Sequence, residues 1–155
     1  MTIAPGRVEV DAAPNGGIEA QGSNRSDVRI RAKVVAQARS VAEARALAGE
    51  VRIETSGVVR AVGPPAGRDR SFWVSYELSV PEATDLRLET MNGGIALHGV
   101  KGTVEFKTLN GGVTIDSAAG SVRGRIDRRL DVELGRGGPT VRAVTTNGGV
   151  TIHRR

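Results

Sequence analysis

The sequence predicts an all-β fold: a small β-solenoid or β-helix of stacked 18-residue rungs, with a β-rich N-terminal region carrying one short helix. Three observations predict it. Asn-Gly-Gly recurs at 92–94, 110–112 and 147–149, intervals of 18 and 37 residues, the second reading as two units of 18 plus one inserted residue. Each triplet precedes an apolar-x-apolar pair, Ile95/Leu97, Val113/Ile115 and Val150/Ile152, and further pairs follow nine residues on at Val104/Phe106 and from Val132/Leu134 to Val141/Ala143. The chain has 21 glycines but only two Phe, one Trp and one Tyr, which calls for many tight turns around a core of Val, Ile, Leu and Ala.

From Leu86 to Ile152, short strands thus alternate with turns every nine residues, slipping by one near Arg128. In each strand alternate residues face inward. Asn-Gly is expected to supply positive φ where the chain turns. One 18-residue unit cannot bury its own apolar face, whereas stacked units can. Stacking would put Asn92, Asn110 and Asn147 in one corner column as a ladder of side-chain amides, with Gly93, Gly94, Gly111, Gly112, Gly148 and Gly149 as its turn residues.

The first half reads differently. Val8/Val10, Ile18/Ala20 after Asn15-Gly16-Gly17, and Val28/Ile30/Ala32/Val34 alternate as strands. Ser40-Val41-Ala42-Glu43 is a capping box, and Val41, Ala44, Leu47 and Ala48 follow at helical spacing, so a helix is expected over about 41–48 with Gly49 as its stop. Val51/Ile53 and 58–62 resume strand pattern, and Gly63-Pro64-Pro65-Ala66-Gly67 is a loop. Phe72/Val74/Tyr76/Leu78/Val80 forms the longest alternating run, ended by Pro81, with Trp73 on the opposite parity as if covering a second apolar layer under the helix. At 155 residues the chain is expected to be one domain, 1–81 forming the N-terminal β region and 82–155 the repeat rungs.

The chain has no cysteine, which excludes disulfides, thiolate metal sites and thiol nucleophiles. No apolar run approaches the length of a membrane span, and residues 1–7 lack the apolar stretch of a signal peptide. The net charge is +5 with a pI near 10.6, spread along the chain rather than gathered in a tail. That permits polyanion binding without demanding it.

The order of strand, Asn-Gly-Gly-Ile, Val- and Arg-rich strand and Ala-rich helix continues into Val74-Ser75-Tyr76-Glu77-Leu78-Ser79-Val80-Pro81. The tandem Thr90-Met91-Asn92-Gly93-Gly94 and Thr108-Leu109-Asn110-Gly111-Gly112 follows. From about Val8 to Ile152 this pattern resembles the bacterial adhesin-like family of β-strand repeat domains, cell-envelope domains of unknown function. The resemblance implies a β-solenoid, an envelope or extracellular location and no established enzymatic activity. The chain departs from the family's pattern near residue 129, where Arg128-Arg129-Leu130 fills the expected Asn-Gly-Gly slot.

Aligned rungs give an outward column of Glu105, Arg123 and Arg142 and, two residues on, Lys107, Arg125 and Val144. Lys107, Arg123, Arg125, Arg128, Arg129 and Arg142 are the candidate ligand-binding residues, forming an Arg-rich edge for an anionic glycan or envelope polymer. The competing reading is a solvated face whose arginines pair with Glu105, Asp127, Asp131 and Glu133. A second column holds His98, Asp116, Gly135 and His153. It places His153 two rungs, roughly 10 Å, from Asp116, so no metal site and no cofactor are expected. Gly111-Gly112-Val113-Thr114-Ile115-Asp116 lacks a glycine of the calcium β-roll pattern. Glu105, Asp116 and Glu133 fall in different columns, which argues against paired acid–base catalysis. Nucleic-acid binding lacks an aromatic stacking surface. The expectation is a non-catalytic, envelope-associated scaffold or adhesin-like binding module. The alternatives are a β-helical polysaccharide-modifying enzyme and a module that self-assembles through its solenoid ends.

Overall fold

The computed structural model describes residues 2–3, 6–116, 122–125, 129–133, 140–144 and 150–153, the segments from 122 onward by their backbone pairing. In chain order the strands are β1 (Thr2–Ile3), β2 (Val8–Asp11), β3 (Ile18–Ser23) and β4 (Val28–Gln37), followed by helix α1 (Val41–Glu50). Then come β5 (Arg52–Glu54), β6 (Val58–Val62), β7 (Ser71–Pro81), β8 (Leu86–Glu89), β9 (Ile95–His98), β10 (Val104–Lys107) and β11 (Val113–Asp116). The last four are β12 (Val122–Arg125), β13 (Arg129–Glu133), β14 (Thr140–Val144) and β15 (Val150–His153). They form a seven-stranded sheet in the order β1-β4-β7-β3-β9-β11-β15 and an eight-stranded sheet in the order β13-β14-β12-β10-β8-β2-β6-β5.

The alternation of apolar residues decides which face of each sheet is buried. Val8, Val10, Leu86, Leu88, Val104 and Phe106 of the eight-stranded sheet share one core with Ile18, Ala20, Tyr76, Leu78, Ile95, Leu97, Val113 and Ile115 of the other. Residues between them in sequence lie on the outer faces. From β8 to β12 successive strands switch sheets, so the strand in the opposite sheet serves as the crossover that parallel neighbours need. Register follows the sequence interval of 18 residues: Leu86 pairs with Val104, Val104 with Val122, and Ile95 with Val113.

The expected β-solenoid or β-helix of stacked 18-residue rungs is nevertheless corrected. The chain forms two mixed sheets and a helix arranged as a sandwich, with antiparallel pairs at β1/β4, β4/β7, β5/β6 and β13/β14. Two physical causes stand out. β4 and β7 are 10 and 11 residues long, against four for β8 to β12, and they pair antiparallel from Arg29↔Ser79 to Gln37↔Ser71. Segment 129–133 turns back against β14 rather than adding a strand between β11 and β15. The interval between Asn110 and Asn147 therefore does not contain two equal units.

The helix starts where the capping residue predicts: the Ser40 hydroxyl accepts from the Glu43 N–H at 3.2 Å. It runs through Gly49 to Glu50, past the expected stop, and buries Leu47 as it packs on β4. Its other apolar positions are partly or fully exposed, Val41 by 71%.

The corners between the sheets are built from Thr-x-Asn-Gly-Gly. The Asn92 amide donates to Asn15 Oδ1 and the Asn110 amide to Asn92 Oδ1, each at 2.8 Å, so the ladder begins at Asn15 in the N-terminal half. Asn147, Gly148 and Gly149 lie outside the described residues. Beneath the amides the buried Thr90 hydroxyl donates to the Gly16 carbonyl at 2.7 Å and accepts from the Gly93 N–H at 3.3 Å. Thr108 repeats this one layer on, donating to the Gly93 carbonyl at 3.3 Å and accepting from the Gly111 N–H at 3.2 Å.

These bonds draw successive corners so close that a Cβ on Gly93 or Gly111 would overlap the carbonyl oxygen of Gly16 or Gly93 respectively, and one on Gly16 would overlap that of Val74 in β7. The positive φ expected of these glycines is absent; positive values occur at Gly6, Gly57 and Gly99. Close backbone approach, rather than left-handed backbone, is what requires glycine in the triplets.

This makes a contrast between neighbouring glycines. Gly93→Ala must displace backbone and is expected to cost about 2–3 kcal/mol in urea unfolding. Gly94→Ala, whose Cβ would meet its nearest atom at 3.5 Å, is expected to cost less than about 1 kcal/mol. Equal losses at both positions would contradict the close-approach account.

Candidate functional site

The outer face of the eight-stranded sheet carries two charged rows set by register. One runs Glu9, Arg87, Glu105, Arg123, Arg142, Asp131. The other runs Arg60, Asp11, Glu89, Lys107, Arg125. Two like-charged neighbours break the alternation of the first row at Arg123/Arg142, and the second row ends in Lys107/Arg125. Adjacent strands lie roughly 4.8 Å apart, so these four residues occupy one contiguous patch. Of the six predicted residues, the structure therefore brings together Lys107, Arg123, Arg125 and Arg142. Arg129 sits across from Val144 on β13, the strand beyond Arg142, and Arg128 lies outside the described residues.

Ion pairs cover part of this face. Lys107 Nζ is 2.8 Å from Glu89, and Arg7 reaches both Glu9 at 3.4 Å and Glu105 at 3.2 Å. All are half-exposed pairs of the kind that contribute little to stability. Glu105, the acid beside Arg123 in the row, is thus engaged from its other side by Arg7.

A feature the sequence reading did not single out is a cleft of about 200 Å³ lined by Asp11, Pro14, Pro64, Phe72, Trp73 and Tyr76 among others. Trp73, on the parity opposite to the core, was its one sequence signal and lines this cleft. The Tyr76 ring is 1% exposed, and its hydroxyl has no hydrogen-bond partner among the described residues. Burial, and secondarily the Asp11 carboxylate, push its phenol up to about 12. Asp11 itself accepts from the Ala13 N–H at 2.9 Å. A larger cleft of about 480 Å³ between α1 and residues 67–70 is lined by charges that pair with one another, Arg39 with Asp69 and Arg70 with Glu50.

The column of His98 and Asp116 also needs correction. Gly135 lies outside the described residues, and β15 pairs directly with β11, so His153 is the register partner of Asp116 rather than two strands away. The spacing argument against a shared site at these residues no longer holds.

No helix among the described residues is long and apolar enough to cross a membrane. No family model matches the chain, and neither a curated protein nor a solved structure matches it.

The buried phenol makes stability pH-dependent with a defined sign. Folding raises its pKa from 10.0 to about 12, so the unfolded chain releases the proton first as pH rises. Its contribution is complete below pH 10 and is lost between pH 10 and about 12. Tyr76→Phe, which removes an unbonded hydroxyl, is expected to unfold within about 1 kcal/mol of the parent or above it at pH 7. Its alkaline decline should be visibly shallower in urea titrations, and an unchanged decline would assign the effect elsewhere.

Proposed function

We propose that this chain is a non-catalytic binding module that holds an anionic polymer against the outer face of its eight-stranded sheet. The observation that carries this reading is the register that places Lys107, Arg123, Arg125 and Arg142 side by side on three adjacent parallel strands. Arginine recognises carboxylate, sulfate and phosphate through paired N–H donors, and a repeating anion matches a repeating strand spacing. Each contact is weak and screened by salt, so affinity comes from several engaged at once. The sequence resemblance to adhesin-like envelope domains supports an extracellular or cell-envelope setting, where anionic polymers are plentiful.

The test is binding to dextran sulfate and to polyphosphate at low and high salt. The comparison is a variant carrying Arg123→Ser, Arg125→Ser and Arg142→Ser whose circular dichroism matches the parent. Binding at low salt that weakens with added salt, and falls by about tenfold or more in the variant, is the expected result. No binding, or equal binding by both proteins, would contradict the proposal.

A further inference from the structure

We propose a divalent metal site on the opposite sheet, formed by His98, Asp116 and His153 and taking Zn²⁺ or an ion of similar ligand preference. It is independent of the polymer-binding face. The three residues are the fourth and last of three four-residue strands that lie side by side and parallel: His98 on β9, Asp116 on β11 and His153 on β15. Register pairs His98 with Asp116 and Asp116 with His153. In β9 and β11 the first and third residues are buried and the second and fourth half-exposed, so this position belongs to the outer face.

The order of residue types across the strands suits a metal. The outer two strands lie roughly 10 Å apart, two strand spacings, with the carboxylate on the strand between them. An ion held above the short middle side chain is flanked on each side by a strand that carries a histidine at the same register position. His98 already faces that position: its Nδ1 is 3.8 Å from Asp116 Oδ2. Two ligands of one tetrahedral zinc, each about 2.0–2.2 Å from it, lie roughly 3.4 Å apart, so only a small closure is needed. At 3.8 Å the pair is too long for a direct hydrogen bond.

The other ring nitrogen also faces a carboxylate, the kind of partner that metal-bound histidines use, at a separation that a small closure would turn into a hydrogen bond. His98 Nε2 is 3.7 Å from Glu19 Oε1 on β3, the strand on its far side. A carboxylate there would receive the Nε2–H and hold the ring with Nδ1 toward the ion. Among the described side chains alone no group of three is arranged to hold a metal, and the third ligand comes from the register of β15. That strand ends the order of the seven-stranded sheet as described. A metal bridging β9, β11 and β15 would clasp this edge strand to its neighbours, where a bare strand invites unwanted pairing.

The experiment uses the full chain free of affinity tags, titrated with Zn²⁺ by calorimetry and with Co²⁺ by visible absorption. Co²⁺ reports ligand geometry directly. The expected result is one ion per chain with a tetrahedral Co²⁺ spectrum. His98→Gln and His153→Gln should each weaken binding by about 100-fold, and Glu19→Gln by about tenfold through ring orientation. Circular dichroism of each metal-free variant controls for folding. Absence of saturable binding, or binding that survives His153→Gln unchanged, would overturn the proposal.

Discussion

The hydroxyl of Thr90, and that of Thr108 one layer on, is the interaction on which the architecture depends. Each joins the carbonyl of a glycine in the preceding corner to the N–H of a glycine in its own. The backbones of successive corners are thereby drawn into contact that no side chain could occupy. Once the corners are stacked, the strands leaving them have no freedom of register. Ile18 donates to the Gly94 carbonyl and Ile95 to the Gly112 carbonyl, each at 2.9 Å, and the parallel pairing of β3, β9 and β11 follows. A slip by one residue would turn Ile95 and Leu97 outward and His98 inward. Buried polar groups left unpaired at the corners would add to that cost.

Local chemistry made much of this legible. The interval of 18 residues, the inward pairs and the Asn column could be read because identical residues recur where identical backbone environments recur. Other parts were hidden by long-range pairing. Asn15-Gly16-Gly17 is the first corner of the same column, but Ala13 stands where the later corners have threonine, and 77 residues separate Asn15 from Asn92 instead of a multiple of 18. Nothing local in Val28–Gln37 or Ser71–Pro81 states that these strands pair antiparallel with each other and β7 parallel with β3. The solenoid expectation failed there and again at 129–133, where an apparent repeat strand pairs antiparallel in the other sheet. The same misreading separated His153 from Asp116.

The two outer faces consequently differ in chemistry. On the eight-stranded sheet, two rows of mixed charge contain a patch of like sign at Lys107, Arg123, Arg125 and Arg142. On the seven-stranded sheet, Glu19, His98 and Asp116 bring two carboxylates to the two sides of one imidazole. Neither face contributes to the core, so its residues are free to serve binding while alternate positions on the same strands hold the sheets together. The cleft at Trp73 and Tyr76 is different in kind: it draws on Tyr76, a core residue, and its one carboxylate, Asp11, already accepts a backbone N–H.

The account stands on the threonine hydroxyls, and Thr90→Val tests it most directly. Valine has nearly the same shape but can neither donate to the Gly16 carbonyl nor accept from the Gly93 N–H. Two buried backbone groups would lose their partner, a loss of about 2–4 kcal/mol in urea unfolding. That loss, with native circular dichroism retained, is the predicted result. A Thr90→Val chain as stable as the parent would show that the corners stack without the hydroxyl bridge and would contradict the account.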